Sequence, residues 1–140
     1  MVVTEEQKKG GEMYQGHEVC LPKAVELLQQ FGLPGGLLPL EDVEECGVVH
    51  DTGFVWILSK KKVDHYFKLA KRKVCYGTEI TAHIVKNKLE QLRGVKAREL
   101  LLWVDVNEIE VDQRDSGKIH FRGLAGITRT FPVECFAPGE

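Results

Sequence analysis

The apolar residues of this chain change their spacing once, and that change decides the fold class. Up to Phe31 they recur with the period of a helix. From Val43 onward they recur at every second residue, as on a strand with one buried face. After the turn composition His50-Asp51-Thr52-Gly53, Phe54, Trp56 and Leu58 alternate with Val55 and Ile57. Beyond Lys60-Lys61-Lys62, Val63, His65, Phe67 and Leu69 alternate with Asp64, Tyr66 and Lys68. Val74 and Tyr76 end at Gly77, Ile80, Ala82 and Ile84 form the next run, and Leu89 and Leu92 precede a predicted turn at Gly94. Glu99 to Val111 reads as one long strand, apolar on both faces in its first half. It is therefore expected to be central or to bend between two layers, with Trp103 sharing a core with Trp56. Asp112 to Gly117 is a turn, followed by short strands at Ile119 to Phe121 and Ile127 to Val133. About seven to nine short strands at close intervals predict a mainly β fold, a closed or partly open barrel or sandwich.

One or two helices precede this body. Thr4 with Gln7 forms a capping box, but Gly10-Gly11 should fray or break the helix running toward Tyr14. Cys20, Ala24, Leu27, Leu28 and Phe31 lie on one face of a second helix. Pro22 requires a start between His17 and Leu21, and Gly32 ends it. Leu33-Pro34-Gly35-Gly36-Leu37-Leu38-Pro39 cannot continue a helix and reads as an apolar elbow. The organisation expected is a single domain over 1–140: a helical segment at 1–32, a Pro/Gly elbow at 33–42 and a barrel-like body at 43–136. That fits a 140-residue chain without repeats or low-complexity linkers.

The net charge of -2 conceals an asymmetry. Residues 1–53 carry ten acids and three bases, and residues 54–140 carry eleven acids and sixteen bases, which predicts two unlike faces. No apolar run approaches the roughly 20 residues of a membrane span, and Met1-Val2-Val3 gives way at once to Thr4-Glu5-Glu6. A soluble, cytoplasmic protein is the expectation. Cys20, Cys46, Cys75 and Cys135 should then remain thiols, and no Cys-x-x-Cys half-site supports zinc.

Motifs for catalysis are missing. Ser59 stands at a strand end before three lysines and Ser116 lies in a turn, neither in a Gly-x-Ser-x-Gly elbow. Cys46 and His50 sit roughly 13 Å apart if both lie on a strand, too far for a nucleophile and its base. His17, His50, His65, His83 and His120 include no metal-binding pair, and no phosphate-cradling glycine motif exists, so neither metal nor cofactor is expected. The remaining signal is a basic band: Lys60, Lys61, Lys62, Lys68, Lys71, Arg72 and Lys73, interleaved with Tyr66, Phe67 and Tyr76. Cations beside aromatics suit an anionic membrane surface or an acidic protein, with nucleic acid less expected. A solvated hairpin whose lysines protect a strand edge fits somewhat better.

The elbow Leu33 to Pro39 resembles that of a plant family known as domain-of-unknown-function family 538. The likeness continues in order through Asp51-Thr52-Gly53-Phe54-Val55-Trp56, Lys88-Leu89-Glu90-Gln91-Leu92-Arg93-Gly94-Val95, Leu100-Leu101-Leu102-Trp103-Val104 and Phe131-Pro132-Val133. The resemblance implies a β-barrel-like fold preceded by helix, in the soluble branch lacking a secretory signal. Lipid binding and hydrolysis of a chlorophyll-type ester have both been suggested for such folds, without a residue motif that transfers to this chain. Taken together, the expectation is a non-enzymatic binding domain for a small apolar or amphipathic ligand such as a lipid, within or beside the barrel. Ile80-Ala82-Ile84 and Gly123-Leu124-Ala125-Gly126 supply small side chains that leave room for it. The alternatives are an interaction or regulatory module using the charge asymmetry, and a hydrolase.

Overall fold

The computed structural model describes residues 3–123 and 126–140. Nine strands form one antiparallel sheet: β1 (Glu12–Gln15), β2 (Val43–Val49), β3 (Phe54–Ser59), β4 (Val63–Phe67), β5 (Arg72–Val85), β6 (Lys88–Glu99), β7 (Leu102–Val111), β8 (Lys118–Gly123) and β9 (Thr128–Pro132). Their order is β1-β2-β3-β5-β6-β7-β8-β9, with β4 on β5 beside β3. Among the described residues the sheet is not closed: its strand path ends at β1 and β9, a partly open barrel-like arrangement. Helix α1 spans Glu5–Lys8 and helix α2 spans His17–Gln30.

Local chemistry sets the helix ends. The Thr4 and Gln7 capping box forms as expected, yet α1 ends after Lys8. Residues 12–15 are strand instead, placing Glu12 opposite Val48 and Tyr14 opposite Cys46. Two glycines weaken the helix there, while pairing with β2 satisfies the backbone of a segment that already contains Tyr14. Helix α2 starts at His17, so Pro22 lies just past its first turn and donates no bond back to the Glu18 carbonyl. At the other end Gly32 takes φ +83°, and the amides of Leu33 and Gly32 bond back to Leu28 (2.8 Å) and Gln29 (3.1 Å). The Asn87 amide donates to the Phe31 carbonyl at 2.6 Å, which ties the β5–β6 turn to the helix end.

The strand end expected at Gly77 and the turn expected at Gly94 both lie inside longer strands. Val74 to Ile84 is one strand, β5, whose first half pairs with β4 and second half with β3. Gly94 lies within β6, at φ +92°, where the β5–β6 ladder is interrupted between Tyr76 and Thr81. This bend lets one sheet enclose a core. Against one face pack α2, the elbow and a C-terminal 3-10 turn (Val133–Phe136), burying Leu28, Leu33, Leu37, Ile57 and Phe136. Phe136 meets Phe67 and Phe121 at ring separations of 4.8 and 4.9 Å. The Tyr76 hydroxyl anchors the elbow through the Leu37 carbonyl at 2.8 Å. The opposite face carries a second cluster of Val3, Val49, Phe54 and Trp56 beneath α1.

The expected Glu99–Val111 strand is the largest departure. Leu100 and Leu101 form the β6–β7 turn, and Leu100, Leu101, Leu102 and Trp103 are all exposed. Trp103 therefore shares no core with Trp56, which is buried in the second cluster.

Candidate functional site

Helix α2 does not close flush on the sheet. Ala24 on the helix and Cys46 on β2 are small. Between them Leu27, Leu28, Val55, Ile57 and Leu89 help line a partly enclosed cavity of about 270 Å³. Strand alternation explains the apolar wall: Cys46 lies opposite Ile57 and Val48 opposite Val55, all on the face that α2 covers. The rim is polar. The Tyr14 hydroxyl donates to Glu12 at 2.7 Å, His50 Nε2 lies 3.2 Å from the same carboxylate, and Lys23 Nζ stands 5.1 Å from the Tyr14 ring centre. The Tyr14 hydrogen bond, followed by the charge of His50, holds the Glu12 carboxyl below its ordinary range, and Glu12 in turn raises Tyr14. An apolar pocket with a hydrogen-bonding rim matches the general design of small-molecule sites.

Nucleophiles are not poised here. Burial, then the neighbouring Cys20, pushes the Cys46 thiol well up, and Cys20 donates to the Tyr14 carbonyl at 3.4 Å. Burial also raises Cys75, helped by Asp64, and Cys135, helped by Glu134. Such thiols stay protonated at neutral pH. Ser59 and Ser116 lie off the cavity, and among the described residues no histidine hydrogen-bonds to either. Among these residues no group of three His, Cys, Asp or Glu side chains is arranged to hold a metal ion.

A hydroxyl–imidazole–carboxylate chain that motif reading missed lies elsewhere. His120 Nδ1 is 2.7 Å from Thr130 Oγ1, and His120 Nε2 is 2.8 Å from Asp112 Oδ2. The partners come from β9, β8 and the β7–β8 turn, so only strand register shows them together; His120 and Thr130 are directly opposite. Thr130 is exposed on the sheet's edge strand, and neither it nor His120 lines the cavity under α2. The chain acts as a pin across three segments.

The basic band divides. Lys60, Lys61 and Lys62 precede β4, where Lys61 reaches Asp42 at 3.5 Å. Lys68 and Lys71 follow β4, roughly 17 Å away along five strand residues. Lys71, Arg72 and Lys73 converge with Arg98 beside Leu100 and Trp103, a grouping that linear order hides. Arg72 lies 5.7 Å from the Phe131 ring centre. Ala82, a candidate for leaving room, is buried and lines a groove with Leu92, Val95 and Val106; Leu124 and Ala125 lie outside the described residues.

A family model described as "Protein of unknown function, DUF538" matches residues 24–137, most of the chain. The chain belongs to the DUF538 family. No curated protein and no solved structure matches it. The DUF538 match begins at Ala24, so it takes in the apolar lining, the elbow and the Leu100–Trp103 tip, whereas Glu12, Tyr14 and Lys23 of the rim precede it. Among the described residues no helix is long and apolar enough to cross a membrane.

Proposed function

We propose that this chain binds a small amphipathic molecule, its apolar body under α2 and an uncharged hydrogen-bonding head at the Glu12–Tyr14–His50 rim. The cavity of about 270 Å³ carries this reading, because it is apolar inside and polar at its mouth. An apolar cavity of about 150 Å³ accommodates one benzene ring. The space here suits two fused rings or a short acyl chain and is too small for a four-ring macrocycle. The rim carries both signs, Glu12 and Glu26 against Lys23, which favours a neutral head over an ion.

2-Naphthol, with two rings and one hydroxyl, is the probe of choice. The parent protein should quench or shift its fluorescence saturably. Ala24→Phe should fill the cavity from the helix side, weakening uptake about tenfold or more while leaving the melting temperature nearly unchanged. If the parent takes up neither 2-naphthol nor 1-decanol, the reading is lost. It is equally lost if Ala24→Phe costs about 1–3 kcal/mol, the mark of a space already packed.

A further inference from the structure

The β6–β7 hairpin tip breaks the rules of its own turn. Two-residue hairpin turns favour Asn, Asp and Gly because they need positive φ, and they lie in water. Here the turn is Leu100-Leu101, with Leu100 at φ +53°, and the flanking residue is Leu102. Their exposures are 93%, 84% and 70%. Neither backbone comfort nor burial accounts for three consecutive leucines at that place. Trp103 and Tyr66, both exposed, stand beside them, and the exposed Leu69 lies in the β4–β5 turn at the same end of the sheet. The tip is nonetheless held in shape: Arg98 Nε donates to the Leu100 carbonyl at 3.1 Å, and its guanidinium lies 5.3 Å from the Trp103 ring centre.

The charge around the tip is predominantly positive. Lys71, Arg72, Lys73 and Arg98 surround Leu100 and Trp103, and Lys68 precedes them in the same turn. Glu99, the acid among them, is tied to Arg129 Nε at 2.9 Å. We infer that this end of the sheet docks on an anionic lipid bilayer, with Leu100, Leu101 and Leu102 inserted among the acyl chains. Trp103 and Tyr66 then occupy the headgroup level and Lys68, Lys71, Lys73 and Arg98 contact lipid phosphates and carboxylates. A protruding apolar tip inside a cationic collar, with amphipathic aromatics between the two, matches the layering of a bilayer interface. A protein partner would need a matching apolar socket with an acidic rim, whereas a fluid bilayer admits the tip without one. The site is separate from the cavity under α2.

The test uses the full chain and vesicles of phosphatidylcholine with and without phosphatidylserine. The parent should co-sediment with the anionic vesicles, weakening between low and physiological salt, and Trp103 emission should shift to the blue in a Trp56→Phe background. Leu100→Ser with Leu101→Ser should weaken binding about tenfold or more and abolish the blue shift, with an unchanged melting temperature because both side chains are already in water. Lys71→Glu with Lys73→Glu should do the same. Lys60→Glu with Lys61→Glu and Lys62→Glu, at the far end of β4, should bind nearly as the parent does. Ala24→Phe should bind as the parent does, which separates this inference from the cavity reading. No binding to anionic vesicles overturns it, as does binding that survives the leucine changes. An apolar tip serving self-association, seen as a parent dimer that Leu101→Ser turns into a monomer without vesicle binding by either, overturns it as well.

Discussion

Asp112 shows how one side chain couples local geometry to pH. The His120 hydrogen bond, followed by the amides of Arg114 and Asp115, draws its carboxyl from the ordinary 3.8 down to about 2. A carboxyl whose folded pKa is depressed contributes stability above its unfolded pKa and loses it as pH falls toward the folded value. That contribution is therefore complete above about pH 4 and disappears toward about pH 2. Urea unfolding of Asp112→Asn should show a lower stability at neutral pH and a flatter decline across that window than the parent. Identical acid limbs would show that the pin contributes nothing. The Asx turn in Asp112 to Gly117 was legible from composition, because its residue types make such turns wherever they occur. The bond to His120 was not, because it depends on which strands become neighbours.

At the scale of elements, the bend in β6 decides whether the sheet wraps its core. A Cβ at Gly94 would collide with the Glu79 carbonyl oxygen, at a φ that L side chains rarely adopt. Gly94→Ala should cost at least about 1–3 kcal/mol, read as a lower midpoint in denaturant with an unchanged slope. A midpoint equal to the parent's would mean that β6 relaxes without penalty. Gly94 and Gly77 interrupt the apolar pattern, which predicts a turn at Gly94 and a strand end at Gly77, whereas both lie inside continuous strands. A glycine marks a departure from regular strand geometry in both cases, and only the continued pairing on both sides tells bulge from turn. The same ambiguity hid β1, whose four residues carry almost no period of their own and become a strand by pairing with β2.

For the whole molecule, the two apolar clusters share β2 and β3, since Cys46 and Ile57 belong to one and Val49 and Phe54 to the other. They should therefore unfold together. With Trp103→Phe in place, Trp56 is the remaining indole, and its fluorescence should follow the same denaturation curve as far-ultraviolet dichroism. Separate midpoints would show that the layer beneath α1 melts independently.

Legible in the order of residues alone are helix α2 with its glycine stop, the buried elbow, the mainly β body and the ordered motifs of the DUF538 family. Each of these rests on spacing or turn chemistry within a few residues. Only the tertiary structure decided that the sheet stays open, that α2 leaves a cavity, that the basic band splits between the two ends of β4, and that Leu100 to Trp103 face water. Hydrophobic periodicity states which side chains would gain from burial, and it carries no information on whether another surface arrives to bury them. An apolar run on both faces is the same string of letters at the centre of a sheet and at the tip of a hairpin. The neighbours across the sheet, fixed by pairings far apart in the chain, make the difference.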